Sequence, residues 1–376
     1  MKSSRGFALR DALFGTCALA ALAAITVPAL SQVRMDSGRQ VCIGNYRFIS
    51  ATSGSYINDH AGRMWALDWK AGMPNPEQPG TYFGSDRDAQ AYQAVSIYRR
   101  LSNLTPQESP VPASAMLQIL NAHAALLDYL NTPLTSANVA APASFMVCPE
   151  DWTRQNYLDG KYKPLPATGG DNSFGVWRWI FSSSYRWDVY QWSPSRTYRT
   201  LNPHGQLALA PMVFQTADAS DFWNIEGDST ILNAWGPKQA TEVRFPSSKV
   251  FLSDDYARHN GKPRYYAYQD AAQDLLFHDG SVRFLRSDST NPGWNAQKRS
   301  TRSSMTTRFA HTKQSDVFGT VDNGAASANF AAGWYRWTRG GLYGWDVPRA
   351  RAMVGKLPNP SVIENEVDTS AATGEW

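Results

Sequence analysis

The longest unbroken apolar pattern in the chain runs from Ala12 to Leu30, nineteen residues without a charged side chain. At about 1.5 Å rise per residue this is about 28 Å of helix, roughly the thickness of a bilayer's hydrocarbon core. Asp11 stands at the mouth of the run, and an acid placed there asks for a function and a partner. Further on, Leu30, Val33, Val41, Tyr46, Ile49 and Ser53 follow helical spacing. They predict an amphipathic continuation over 31–56, with Gly54 available as a cap. Continuous from Phe7, such a helix would have about fifty residues and a length of about 70 Å. Gly38 and Gly44 work against it.

The pattern then changes period. Val250, Phe251 and Leu252 read as a buried strand. Leu275 to Phe277, the Asp279-Gly280 turn and the alternating Val282, Arg283 and Phe284 read as a β-hairpin. Ala115 to Leu130 has helical spacing, Pro106 to Pro112 reads as a linker, and 358–376 is a polar, lightly acidic tail. Together these predict an α+β fold, with one long N-terminal helix packed on a β-rich globular domain over 57–357.

With 43% hydrophobic and 18% charged residues the chain is globular rather than disordered. A net charge of +4 gives no reason to expect a nucleic-acid partner. No phosphate-binding loop, dinucleotide fingerprint or paired zinc motif is present, so no catalytic residues and no enzyme activity are expected. The six histidines are isolated in sequence, and His278 beside Asp279 points to the opposite face of a strand. Cys17 lies in the apolar run. Cys42 and Cys148 are either free thiols or a disulfide, and no His or carboxylate stands near them at zinc spacing. No cofactor is implied except calcium, for which Asp254 with Asp255, and Asp59 with Asn58, offer oxygen ligands. Trp177, Trp179, Trp187, Trp192, Trp334, Trp337 and Trp345 are either core or sugar-stacking surface.

The N-terminal pattern is that of a short leader 1–6 ending in Gly6, then Phe7, Asp11 four residues later and Pro28 within the helix. It resembles type IV pilins and the pseudopilins of type II secretion systems. The resemblance implies cleavage after Gly6 by prepilin peptidase and methylation of the Phe7 amine. It implies a transmembrane half over 7–30, and Asp11 neutralising the amine of a neighbouring pilin-like subunit. Lys2 and Arg5 on the cytoplasmic side would leave the bulk of the chain outside a bacterial inner membrane crossed once. An ordinary secretory signal also fits the text, with Lys2, Arg5 and Arg10 as its basic end and Ala29-Leu30-Ser31 as its cleavage site. Arg10 departs from the pilin pattern and offers Asp11 a local partner.

Further elements resemble a prepilin-like subgroup, found in planctomycetes and verrucomicrobia, with a His-x9-Asp-Gly signature. Cys42, Asn45, Arg47, Tyr56, Asn58, Asp59, Gly62 and Arg63 match its post-stem elements, and Met146 to Asp151 matches its Cys-Pro-x-Asp element. Ser184-Tyr185, Phe245 to Asp255 and the Asp279-Gly280 hairpin follow in order. The resemblance implies pairing of Cys42 with Cys148. Tyr46 and Phe48 depart from the pattern, and Gln269 stands where the signature has His. The function implied is structural, as a subunit of a type II secretion or type IV pilus-like assembly. The alternative is a tethered or secreted surface protein that binds carbohydrate and does not polymerise.

Overall fold

A computed structural model describes residues 9–103, 105–107, 111, 121–129, 144–151, 154, 182–193, 195–198, 208–211, 213–215, 223–225, 235–259, 264–290, 293, 315–316, 319–320, 333–338 and 341–347. Gly6, Phe7, the leader, the tail 358–376, Trp177 and Trp179 lie outside them, as do the side chains of Asp11 and Pro28.

Leu9–Asp59 is a single α-helix, α1, of 51 residues. In its first half the described side chains, among them Leu19 and Val33, are exposed, while Cys42, Tyr46, Ile49, Ser53 and Tyr56 are buried. Those five step by three or four residues, so they form one stripe facing a core. Gly38 sits on the same face, and a Cβ there would meet Glu150 Oε1 at 2.8 Å. The missing side chain lets that loop approach the helix.

Gly54 does not end the helix as expected. A side chain there would meet nothing within 4 Å, and burial of Tyr56 carries the stripe onward. Termination comes at Ala61 and Gly62, with φ of 53° and 82°. There the Gly62 N–H donates to the Ile57 carbonyl at 2.8 Å, the 6→1 bond of a Schellman-type end.

A second helix, α2 (Asp86–Ser102), begins at Ser85, whose Oγ accepts from the Asp88 N–H at 3.1 Å, and stops at Asn103 in the left-handed region. Between the two helices lies a 3-10 segment, Ala122–Tyr129. The sequence predicts an α-helix over Ala115 to Leu130, of which 121–129 are described. Ala122, His123, Ala124, Leu126 and Leu127 are all buried, so no single apolar face governs the segment and the α-helical stripe does not apply.

The strands are β1 (Tyr185–Trp187), β2 (Ser195–Tyr198), β3 (Ala208–Pro211), β4 (Val213–Gln215), β5 (Trp223–Ile225), β6 (Val250–Asp254), β7 (Ala272–Phe277), β8 (Val282–Arg286), β9 (Ser315–Asp316) and β10 (Gly319–Thr320). A four-stranded antiparallel sheet has the order β1-β6-β7-β8, and the rest form two-stranded antiparallel ribbons. The fold is therefore α+β. Helix α1 lies against β7 and β8. There Arg39 makes a two-pronged ion pair with Asp274, at 2.8 and 2.9 Å, and stacks 4.3 Å above the Phe284 ring. Among the described residues no helix is long and apolar enough to cross a membrane.

The β7–β8 hairpin forms where the sequence predicts it, with Leu275 opposite Arg283 and Leu276 opposite Val282. Its connection is His278 to Gly280. Gly280 takes φ 81° and donates to Phe277 O at 2.9 Å, and Asp279 Oδ1 accepts from the Ser281 N–H at 2.9 Å. This is a three-residue loop with a left-handed glycine. A Cβ on Gly280 would come within 3.1 Å of Ser50 Oγ on α1. Gly280→Ala is therefore expected to destabilise the protein by about 1–2 kcal/mol, read as a lower urea midpoint at unchanged slope.

Candidate functional site

The Cys-Pro segment, the start of β1 and the end of β6 meet α1 at one place. Cys42 comes from the buried stripe of α1. Cys148 follows the 3-10 turn Ser144–Met146, and its N–H donates to Ser184 Oγ at 3.0 Å. The two thiols are free and lie 3.0 Å apart, so the structure brings together the pair that the resemblance couples. It also adds a member. His259, just beyond β6, places Nε2 3.1 Å from Cys42 Sγ and 3.2 Å from Cys148 Sγ. The sequence places no histidine at zinc spacing around these cysteines, and His259 reaches them only through the fold.

The surroundings are polar and ordered. Tyr185 OH donates to Cys42 Sγ at 3.2 Å and accepts from Asn45 Nδ2 at 3.1 Å, and its ring packs on Tyr46 with centroids 4.7 Å apart. Asn45 thus acts as a clamp on Tyr185. Burial pushes the Cys148 thiol well above its usual range, with the neighbouring Cys42 adding to the effect and His259 opposing it. Burial and Cys42 raise the Tyr185 phenol in the same way.

Behind this cluster lies a layer of buried ion pairs. Asp151 accepts from Arg154 at 2.5 Å and from Ser184 Oγ at 2.7 Å, and pairs with Arg258 at 3.2 Å. Burial alone would raise its carboxyl, but the two guanidinium groups outweigh burial and hold it well below the usual range. Asp254 pairs with Arg258, and Asp255 lies between Arg186 at 2.6 Å and Arg336 at 2.7 Å. Arg336 also donates to Ser253 Oγ and to the Asp254 carbonyl and stacks on Tyr266.

This layer corrects the calcium expectation. Calcium takes six to eight oxygen ligands, whereas Asp254 and Asp255 are both buried and already neutralised by arginines. Asp59 accepts from Tyr129 OH at 3.0 Å, tying the end of α1 to the 3-10 segment.

The other expected residues serve the fold. Arg47 is exposed on α1, and Gly62 and Gly280 supply the two left-handed turns described above. Trp187, Trp192, Trp334, Trp337 and Trp345 are buried, so none of them offers a sugar-stacking face. His278 is half-buried against Phe251, and desolvation of its ring with the nearby Lys249 lowers it to about 3. It is neutral at physiological pH and forms no dyad with Asp279, whose carboxylate serves Ser281.

Comparison with known protein families, with characterised proteins and with solved structures finds no match for the chain.

Proposed function

We propose that the chain is a pilin-like or pseudopilin-like structural subunit. Prepilin peptidase would release it at Gly6, its first helical half over 7–30 would anchor it in a bacterial inner membrane, and its α+β domain would stand outside. The observation that carries the reading is the form of α1, a 51-residue helix with exposed side chains in its first half and a buried stripe in its second. That is the division expected of a stem that meets lipid or neighbouring subunits at one end and its own domain at the other. The uncharged run from Ala12 to Leu30 and the Gly6, Phe7 and Asp11 spacing supply the chemistry of processing and assembly. The buried tryptophans count against the carbohydrate-binding alternative.

Asp11 would pair with the free amine of Phe7 on an adjacent subunit, since an acid at the edge of lipid gains from a counter-charge. Asp11→Ala is expected to abolish incorporation into a filament while leaving cleavage after Gly6 largely intact. The readouts are the sheared filament fraction and the N-terminal residue of the mature chain by mass spectrometry. Methylated Phe7 with lost assembly supports the proposal. Unchanged assembly, or a mature chain beginning at Gln32, overturns it.

A further inference from the structure

Three soft donor atoms converge from three separate parts of the chain. Cys42 Sγ, Cys148 Sγ and His259 Nε2 form a triangle with sides of 3.0, 3.1 and 3.2 Å, and they are the group of possible metal ligands among the described residues. Cys42 and Cys148 are separated by 106 residues, and Cys42 and His259 by 217. The fold, rather than a local motif, assembles the set.

Hydrogen bonding does not account for the arrangement. A ring nitrogen presents a single in-plane position, either one lone pair or one N–H, yet Nε2 is nearly equidistant from two sulfurs. A disulfide does not account for it either, since a bonded pair needs no imidazole nitrogen aimed at both of its atoms. A cation above the triangle satisfies all three donors at once. For Zn–S of about 2.3 Å and Zn–N of about 2.0–2.1 Å, a tetrahedral site has donor separations of about 3.5–3.8 Å, so each donor retreats by only a few tenths of an ångström.

We propose that Cys42, Cys148 and His259 bind one thiophilic divalent cation, Zn2+, through the two sulfurs and Nε2. The charges balance, because two thiolates offset the ion and the imidazole is neutral. That balance matters where both sulfurs are buried. Binding breaks two S–H bonds, forms two Zn–S bonds and one Zn–N bond, and releases two protons and all but one of the ion's water ligands to solvent, with no change in oxidation state. A water completes the fourth position from the side of His259, which is half-buried. Tyr185 OH, donating to Cys42 Sγ, supports the thiolate from the second layer. The ion fastens α1 to the Cys-Pro segment and to the chain just beyond β6, with one position left to water.

The test uses the full chain, purified in detergent without chelator or reductant. Metal analysis by mass spectrometry is expected to find one zinc per chain, and thiol titration after denaturation in chelator three reactive thiols, those of Cys42 and Cys148 together with Cys17. Replacing zinc with Co2+ should give a thiolate-to-cobalt charge-transfer band. Cys148→Ser should lose the metal. Should that variant not fold, His259→Gln leaves both sulfurs in place and should weaken zinc affinity by more than the about 10- to 100-fold that loss of a second-layer partner costs, while shifting the cobalt spectrum. A denatured mass about 2 Da below the reduced chain, showing a Cys42–Cys148 disulfide, overturns the proposal. So does a chain with Cys42 and Cys148 both reduced that takes up no zinc from a zinc buffer.

Discussion

Lys249→Met is expected to destabilise the protein by about 3–5 kcal/mol, the usual consequence of removing one partner from a buried charge network. Lys249 is fully buried. It pairs with Asp188 and with Asp346, the latter at 3.3 Å, and donates to Thr338 Oγ1. The carboxylates in turn hold backbone: Asp188 accepts from the Tyr190 N–H at 3.0 Å and Asp346 from the Val250 N–H at 2.8 Å. Methionine matches the stem of the lysine but leaves two buried acids with no counter-charge.

The pH dependence gives that prediction a signature. Two carboxylates share one ammonium, and burial pushes Asp188 up to about 7 and raises Asp346, with Lys249 opposing both shifts. A folded-state pKa above the unfolded value of about 3.9 means that the folded state binds more protons between those two values. Stability from this cluster is therefore present near pH 4 and lost as pH rises towards 7. The deficit of Lys249→Met should widen over the same window, because the variant must keep a second proton. Urea unfolding of both proteins at pH 5 and pH 7.5 measures it. A deficit below about 1 kcal/mol at both values would show that the network is not formed.

Trp65→Ala is expected to cost a further large amount, about 3–5 kcal/mol. Trp65 is buried just after α1. Its indole N–H donates to Ser53 Oγ at 2.7 Å, and that hydroxyl donates to the Ile49 carbonyl at 2.6 Å. Its ring meets Trp187 of β1 edge-on with centroids 4.9 Å apart and Phe251 of β6 at 5.9 Å. One side chain thus joins helix to sheet. Trp65→Phe should cost clearly less, since most of the ring contact survives. Thermal unfolding checks the order of the two variants, and equal losses would contradict it.

How far the sequence reaches depends on the range of the interaction. The hairpin was legible because Asp279 and Gly280 determine its turn locally and the flanking residues alternate. Strand β6 was legible as the apolar run Val250 to Leu252. The length of α1 was legible, but its end was not: Gly54 offers a stop, and burial of Tyr56 overrides it at a distance. Helix α2 carries its own signal, Ser85 followed three residues later by Asp88, ahead of the buried Ala91, Ala94, Val95 and Tyr98. Of the cysteine cluster, the sulfur pair was reachable through resemblance. His259 was not, because nothing at its position in the chain marks it as a neighbour of Cys42. The same holds for Asp255, which Arg186 and Arg336 reach from distant segments, whereas Arg258, the partner of Asp254, stands only four residues further on.

The seam between α1 and the rest of the fold has a mechanical consequence. The Arg39–Asp274 pair, the tilted Tyr46–Tyr185 ring contact and the Trp65–Ser53 bond are spaced along it from one end to the other. A pull on α1 along its own axis loads these contacts together, in shear, so they share the force. A sideways pull peels them apart one after another. The seam is therefore strong lengthwise and weak crosswise, and a tensile load entering through the exposed half of the helix meets its stronger direction.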